Sequence, residues 1–231
     1  MAPLFHRFPR RPPDCPIAPE QFEEPYADAK ARMIYEHLWR RGVRDPGVLH
    51  AMLRVPRERF VPPDLSDEAY EDRALPLAAG QTISQPYIVA RMSELARVGP
   101  GSLVLEIGAG SGYQSAVLLE LGAQVWGIEI VAELADLARD RLIQLGYDRF
   151  EILHADGRAG LPDKAPFDAI LLAAAPESVP PALPRQLKPG GRLVAPVGPP
   201  DQQRLVRLTA GPQGVRTENL FPVRFVPLIG G

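Results

Sequence analysis

The sequence predicts an α/β protein built on a doubly wound, mostly parallel sheet, with helices on its N-terminal side and an antiparallel C-terminal edge. Three observations carry that expectation. From residue 101 onward, apolar runs of strand length alternate with segments of helical period, the order that yields parallel strands joined by crossover helices. The first run stops at Gly108, Gly110 and Gly112 before a helical pattern begins, so a strand feeds a helix through a glycine-rich turn. The last segments, residues 204–209 and 215–227, alternate apolar with polar side chains, as an edge with one wet face does.

Composition bounds the rest. The 231 residues are 45% hydrophobic, enough for one substantial core. A net charge of −2 and a pI near 6.1 leave no electrostatic footprint for nucleic acid, and no apolar run approaches the roughly 20 residues a membrane span needs. Neither nucleic acid nor membrane is expected as a partner. Cys15 is the only cysteine, and no apolar stretch follows a charged start as in a signal peptide, so a cytoplasmic protein is expected.

The chain opens with a proline-rich stretch over residues 1–26 that has no apolar period. Proline fixes φ and removes a backbone donor, so this arm is expected to be extended or disordered; Arg7, Arg10 and Arg11 would serve if it docks on a partner. Residues 27–231 then read as one domain, with residues 27–100 supplying helices and a loop and residues 101–231 the sheet.

Within it, Ala29, Met33, Ile34, His37 and Leu38 mark an amphipathic helix closed by Gly42, and Asp45-Pro46 is a cap followed by a first helical proline. The second helix carries Val48, Leu49, Met52 and Leu53 and ends at Val55-Pro56. His37 and His50 have no second ligand at a metal spacing, and no metal site is expected.

Residues 75–87 follow an acidic patch and hold Gln81, Thr82, Ser84 and Gln85 ahead of a helix that starts near Pro86. Ser84 reads as the helix cap. Four hydrogen-bonding side chains directly before the glycine-rich strand also suit a loop that lines a site.

The glycine turn itself allows φ > 0 and lets a ligand approach main-chain N–H groups at the positive end of a helix, which first suggests an anionic or nucleotide-like ligand. Residues 123–129 form a second strand ending in Glu129, about 20 residues beyond the first glycine, where a strand-terminal carboxylate accepts bonds from ribose hydroxyls. A helix over residues 131–145 and a third strand leading to Asp156-Gly157 follow. Asp156 either stabilises its turn or holds the exocyclic amine of a base. Residues 167–173 are a continuously apolar strand, fit for the middle of a parallel sheet. A short helix over residues 180–187 and a Pro189-Gly190-Gly191 turn lead to the C-terminal strands. The residues leave two ligands open, a nicotinamide dinucleotide and S-adenosyl-L-methionine; the G-x-G-x-G spacing, Tyr113 and Glu106 ahead of the first glycine favour the second.

Several strings together resemble the protein-L-isoaspartate O-methyltransferase family over residues 31–228: Val55-Pro56-Arg57-Glu58-Arg59-Phe60-Val61, Gly80-Gln81-Thr82-Ile83-Ser84-Gln85-Pro86-Tyr87, Leu105-Glu106-Ile107-Gly108-Ala109-Gly110-Ser111-Gly112-Tyr113, Ala155-Asp156-Gly157 and Arg224-Phe225-Val226-Pro227-Leu228. The resemblance implies a Rossmann-like methyltransferase fold and methyl transfer from S-adenosyl-L-methionine to the α-carboxylate of L-isoaspartyl residues in damaged proteins, whose esters close to succinimides. It implies Ser84 as the active-site residue. It implies Gln81, Thr82, Ile83, Ser84, Glu106, Gly108, Gly110 and Ser111 around the cofactor, Glu129 on its ribose, and Asp156 with Gly157 on its adenine. Isoaspartyl-bearing proteins and peptides would be its partners, and a monomer is expected. Two readings stand beside it: a carboxyl methyltransferase dedicated to one peptide, and a protein that binds S-adenosyl-L-methionine without catalysis. One departure is visible, Ala78 where the family has glycine, which matters if that backbone needs φ > 0.

Overall fold

The computed structural model describes residues 8–230. Arg7 lies outside the described residues. Residues 8–26 are extended, with one 3₁₀ turn at Pro19–Gln21, but the expectation of disorder is corrected: Cys15, Ile17 and Phe22 are buried. Phe22 meets Tyr35 edge-on at 5.3 Å, and the Tyr35 hydroxyl donates to the Ile17 carbonyl at 3.0 Å. A few apolar side chains need no period to bury when the chain carrying them is extended.

The first helix begins as α1 (Ala27–Arg32), passes through a π turn at Met33–Leu38 and a 3₁₀ turn at Trp39–Arg41, and stops at Gly42 with φ 92°. In α2 (Pro46–Arg54) the Asp45 side chain accepts from the Val48 amide at 3.2 Å, as the cap pattern predicts. Two short strands, β1 (Leu75–Pro76) and β2 (Thr82–Ile83), pair antiparallel around a 3₁₀ turn at Ala78–Gly80. The left-handed residues of that turn are Ala79 (φ 56°) and Gly80 (φ 68°), so Ala78 bears none of the strain its place in the pattern suggested.

α3 (Pro86–Ala96) has Gln85, not Ser84, at its cap, and no side chain caps it. Proline at the first helical position holds Gln85 extended, so the helix cannot start earlier. This displaces Ser84 from the expected cap.

The main sheet follows with β3 (Leu103–Ile107), α4 (Tyr113–Glu120), β4 (Gln124–Glu129), α5 (Ala132–Gln144), β5 (Phe150–His154), β6 (Phe167–Leu172), β7 (Leu187–Val197), β8 (Arg204–Gly211) and β9 (Gly214–Pro222). Its order is β5-β4-β3-β6-β7-β8-β9. Pairs from β5 to β7 are parallel, and β7–β8 and β8–β9 are antiparallel, as the alternation predicted. Val104, Ala169, Leu171 and Val194 face the N-terminal helices, α4 and α5. Leu105, Ile107, Ile170, Leu172 and Leu193 face the other way, where the cover comes from segments around Leu161 and Leu183. The helix expected over residues 180–187 is only a 3₁₀ turn at Pro184–Gln186, because Pro180, Pro181 and Pro184 remove backbone donors an α-helix would need. Strands continuing from β3 run to β4 on one side and to β6 on the other, so the crevice opens at the carboxyl end of β3.

Candidate active site

A cleft of about 780 Å³ occupies that crevice, lined by Gln81, Thr82, Ile83 and Ser84, by Glu106, Gly108, Gly110 and Ser111, and by Glu129 and Gly157. These are ten of the eleven residues the sequence nominates. Asp156, the eleventh, is not part of the lining.

The glycine turn takes the left-handed conformation at Gly108, Gly110 and Gly112, with φ of 84°, 53° and 86°, which only glycine adopts without a steric penalty. Four of its amides are engaged within the protein. Gly108 and Ala109 both donate to the Ile128 carbonyl, Gly112 donates to Ala109, and Gly110 donates to Glu129 at 2.8 Å. Of the expected cradle of free N–H groups for an anion, strand β4 therefore takes three and the turn itself one.

Carboxylates set the polarity of the cleft instead. Glu129, 6% exposed, accepts from Gly110 through one oxygen and from the Val131 amide at 3.0 Å through the other, which orients both oxygens and leaves each further capacity to accept. Glu106 is fully buried. Its Oε2 accepts from the Ser115 hydroxyl, and its Oε1 has no partner. Burial pushes Glu106 up to about 8, the Ser115 bond opposing and the charge of Glu129 reinforcing the shift. Two acids and no exposed cation among its lining residues suit a ligand that brings hydroxyls and positive charge, and disfavour a pyrophosphate.

Gly157 belongs to the lining for a steric reason. A Cβ there would come within 2.4 Å of Ile107 Cγ2, so the chain after β5 can lie this close to β3 only as glycine. Asp156 is committed elsewhere: its carboxylate accepts from Arg158 Nε at 2.9 Å and Nη2 at 2.6 Å, and from the Arg158 amide at 3.0 Å. Bonding to Arg158 holds its carboxyl below the usual range. Of the two roles open to Asp156, the structure displays the turn-stabilising one.

Across the cleft, Ser84 sits where two spaces meet. It lines the first cleft and also a second, open groove of about 1110 Å³ bounded by Arg41, Asp72, Tyr87, Phe221, Arg224 and Phe225. Thr82, Ala173 and Val226 are likewise shared. A molecule in one space and a chain in the other would touch at these residues.

Several lining residues escaped the sequence reading. Val226, Pro227, Leu228 and Ile229 close one side of the cleft; they reach it because Pro227 bridges to Ala175, with the Ala175 amide donating to Val226 and the Leu228 amide to Ala175, both at 2.8 Å. Buried Gln203 secures the approach by bonding both backbone groups of Phe225. The Arg224-Phe225-Val226-Pro227-Leu228 string was the available signal, but its place in space was not. Ile128, Ile130 and Ala174 supply apolar wall. Among the described residues no group of three or more His, Cys, Asp or Glu side chains is arranged to hold a metal, and no helix is long and apolar enough to cross a membrane.

Comparison with known proteins supplies the remaining finding. The family model described as protein-L-isoaspartate(D-aspartate) O-methyltransferase (PCMT) matches residues 29–231. The chain is 54% identical over 197 residues to a protein-L-isoaspartate O-methyltransferase of Gloeobacter violaceus, covering 85% of this chain and 96% of that one. It is 49% identical over 230 residues to one of a Synechococcus species, covering 96% and 94%. Among solved structures, a protein from Plasmodium falciparum described as a beta-aspartate methyltransferase (PCMT), in complex with S-adenosyl-L-homocysteine, superposes with a TM-score of 0.75 at 27% identity, covering 87% of this chain and 98% of that one.

Proposed function

The chain belongs to the protein-L-isoaspartate(D-aspartate) O-methyltransferase family, and on that premise we propose that it methylates the α-carboxylate of L-isoaspartyl residues in damaged proteins, using S-adenosyl-L-methionine. The ester then closes to a succinimide, and hydrolysis returns part of it to aspartate. The observation that carries this reading within the site is the pair Glu106 and Glu129 beside a turn whose Gly108, Ala109, Gly110 and Gly112 amides are engaged within the protein. In such a cleft Glu129 disfavours a phosphate and can accept from ribose hydroxyls, and Glu106 ionises to meet an ammonium.

The residues present fit that cofactor. We assign Glu129 to the ribose hydroxyls and Glu106, whose buried Oε1 lacks a donor, to the ammonium of the methionine end. Gly108, Gly110 and Ser111 form the wall beside that end, and Gly157 lets the base approach Ile107. Asp156 would reach an adenine amine only by sharing its carboxylate with Arg158. When bound, S-adenosyl-L-methionine supplies an activated sulfonium methyl.

The chain's own residues then need only to bind, align and exclude water. The substrate carboxylate is ionised at pH 7, so no general base is required. We assign Ser84 to donate a hydrogen bond to that carboxylate from its position between cleft and groove; it positions, and forms no covalent bond. Alignment of this kind contributes up to about 7–11 kcal/mol to lowering the barrier. A lone cysteine suits the reducing cytoplasm.

The deciding measurement is transfer of labelled methyl groups to a matched pair of peptides, one isoaspartyl and one aspartyl. Label entering the isoaspartyl peptide alone, as a base-labile ester, is the expected result. Equal labelling of both points to a carboxyl methyltransferase of other specificity, and no labelling despite binding of S-adenosyl-L-homocysteine points to a non-catalytic binder.

A further inference from the structure

Among the described residues Arg57 is the largest fully buried side chain, at 0% exposure, and the reaction as described gives it no task. Its Nε donates to the Ala69 carbonyl at 2.6 Å and its Nη2 to the Ser84 carbonyl at 2.8 Å. The guanidinium lies 4.6 Å from the centre of the Tyr113 ring, the first residue of the helix that leaves the glycine turn. Among the described residues no carboxylate pairs with it directly, and its Nη1 is buried without a partner. A buried cation held mainly by carbonyls and a ring face is costly, and an apolar side chain would fill the same space more cheaply. A fork that spans two carbonyls at a set separation is something an apolar side chain cannot provide.

What the fork spans is specific. Ala69 belongs to the segment that follows the 3₁₀ turn at Pro63–Glu68. Ser84 belongs to the segment between cleft and groove. The adjoining residue repeats the link in the reverse direction, Gln85 Nε2 donating to the Asp72 carbonyl at 2.8 Å. Ser84 stands outside any regular element, between β2 and α3, so its backbone carbonyl would otherwise be free to turn, and its hydroxyl with it.

We infer that Arg57 is a positioning residue for methyl transfer: its guanidinium fixes the backbone of Ser84, and through it the hydroxyl that orients the substrate carboxylate, against the Tyr113 end of the cofactor cleft. This rests on the role given to Ser84 above, and the experiment separates the two. Arg57→Lys, Ser84→Ala and the double variant are compared for kcat, for KM toward an isoaspartyl peptide and for affinity toward S-adenosyl-L-homocysteine. Lysine keeps the charge but cannot span both carbonyls, so kcat should fall about tenfold to a hundredfold while S-adenosyl-L-homocysteine binds as before. The double variant should be no slower than Ser84→Ala alone, since both changes remove one function.

Losses that multiply in the double variant, an unchanged kcat in Arg57→Lys beside a slowed Ser84→Ala, or a fall in S-adenosyl-L-homocysteine affinity matching the fall in kcat would each overturn the inference and leave the role of Ser84 standing. Full turnover in Ser84→Ala would remove that role and the inference together. Arg57→Met, which takes away the buried charge as well as the fork, is run through the same cycle if Arg57→Lys does not fold. In the unmutated protein, a guanidinium of Arg57 rotating freely in nitrogen NMR spectra would also overturn the tether.

Discussion

The glycine turn and the Ser84 segment face each other across one cleft, yet they are held in different ways. The turn is fixed mostly from nearby: Gly108, Ala109 and Gly110 all bond to Ile128 and Glu129 at the end of the neighbouring strand, and Gly112 bonds within the turn. The Ser84 segment has a two-residue strand on one side and a proline-started helix on the other, and its remaining support comes from the buried Arg57 and from Gln85 reaching Asp72. The turn is a rigid part of the sheet. The segment is suspended, and its geometry depends on side chains remote in sequence. The proposed cofactor wall therefore sits on the scaffold, while the hydroxyl proposed to meet the substrate sits on a tether that separate changes can loosen.

The largest break in this comparison should come from Glu129→Ala. It leaves the Gly110 and Val131 amides without their acceptor, and we expect a loss of about 2–4 kcal/mol in stability together with a drop of at least about a hundredfold in affinity for S-adenosyl-L-homocysteine. Calorimetry reads both. Near-normal stability would mean the turn does not depend on its neighbouring strand.

Ser84→Ala tests the other side. Turnover of an isoaspartyl peptide should fall by the worth of a hydrogen bond to a charged group, about 1.5–3 kcal/mol, with affinity for S-adenosyl-L-homocysteine intact. Loss of that affinity instead would make the segment part of the cofactor wall only.

Glu106 gives a pH signature to the turn side. Its folded value of about 8 lies above the ordinary 4.5, so the folded state holds a proton that the unfolded state releases. The stability this contributes is present at low pH and is lost as pH rises through about 8. A ligand ammonium favours the ionised form, so binding of S-adenosyl-L-homocysteine should strengthen as pH climbs toward 8 and should release a proton, visible as a buffer-dependent binding enthalpy. Glu106→Gln should flatten both trends and weaken binding by about 1.5 kcal/mol. Binding by wild type without proton release would contradict the assignment.

The smallest expected effect is on the suspended side. Ala79 holds φ 56°, a conformation that costs a non-glycine residue about 1–2 kcal/mol. Glycine relieves that cost but loses more chain entropy on folding, so Ala79→Gly should stabilise by about 0.5–1 kcal/mol in denaturant unfolding. Destabilisation would show that the alanine methyl is needed in the turn.

Legibility followed the same division. The glycines, Glu129 and the alternation of strands and helices were readable because each is a local pattern: a period, a turn residue, an acid at a strand end. The Asp45-Pro46 cap was readable for the same reason. The crowd of polar neighbours around Ser84 suits a loop lining a cleft, and Ser84 does line one, but Pro86 shifts the helix cap to Gln85. The helix expected over residues 180–187 fails on proline content, and the arm over residues 1–26, expected to be extended or disordered, packs onto the domain where it is described because Cys15, Ile17 and Phe22 bury without any period.

By itself, then, the sequence determined the strand–turn–helix that opens the cleft, the two acids that line it, and the family resemblance, since all of these depend on residues close together in the chain. Tertiary structure alone decided that strand β4 takes three of the turn's amides, that Arg158 claims Asp156, that residues 226–229 wall the cleft, and that Arg57 reaches Ser84 across 27 positions. Hydrogen-bond partners and burial are settled by which distant segments the fold brings together, and no window along the chain contains that information.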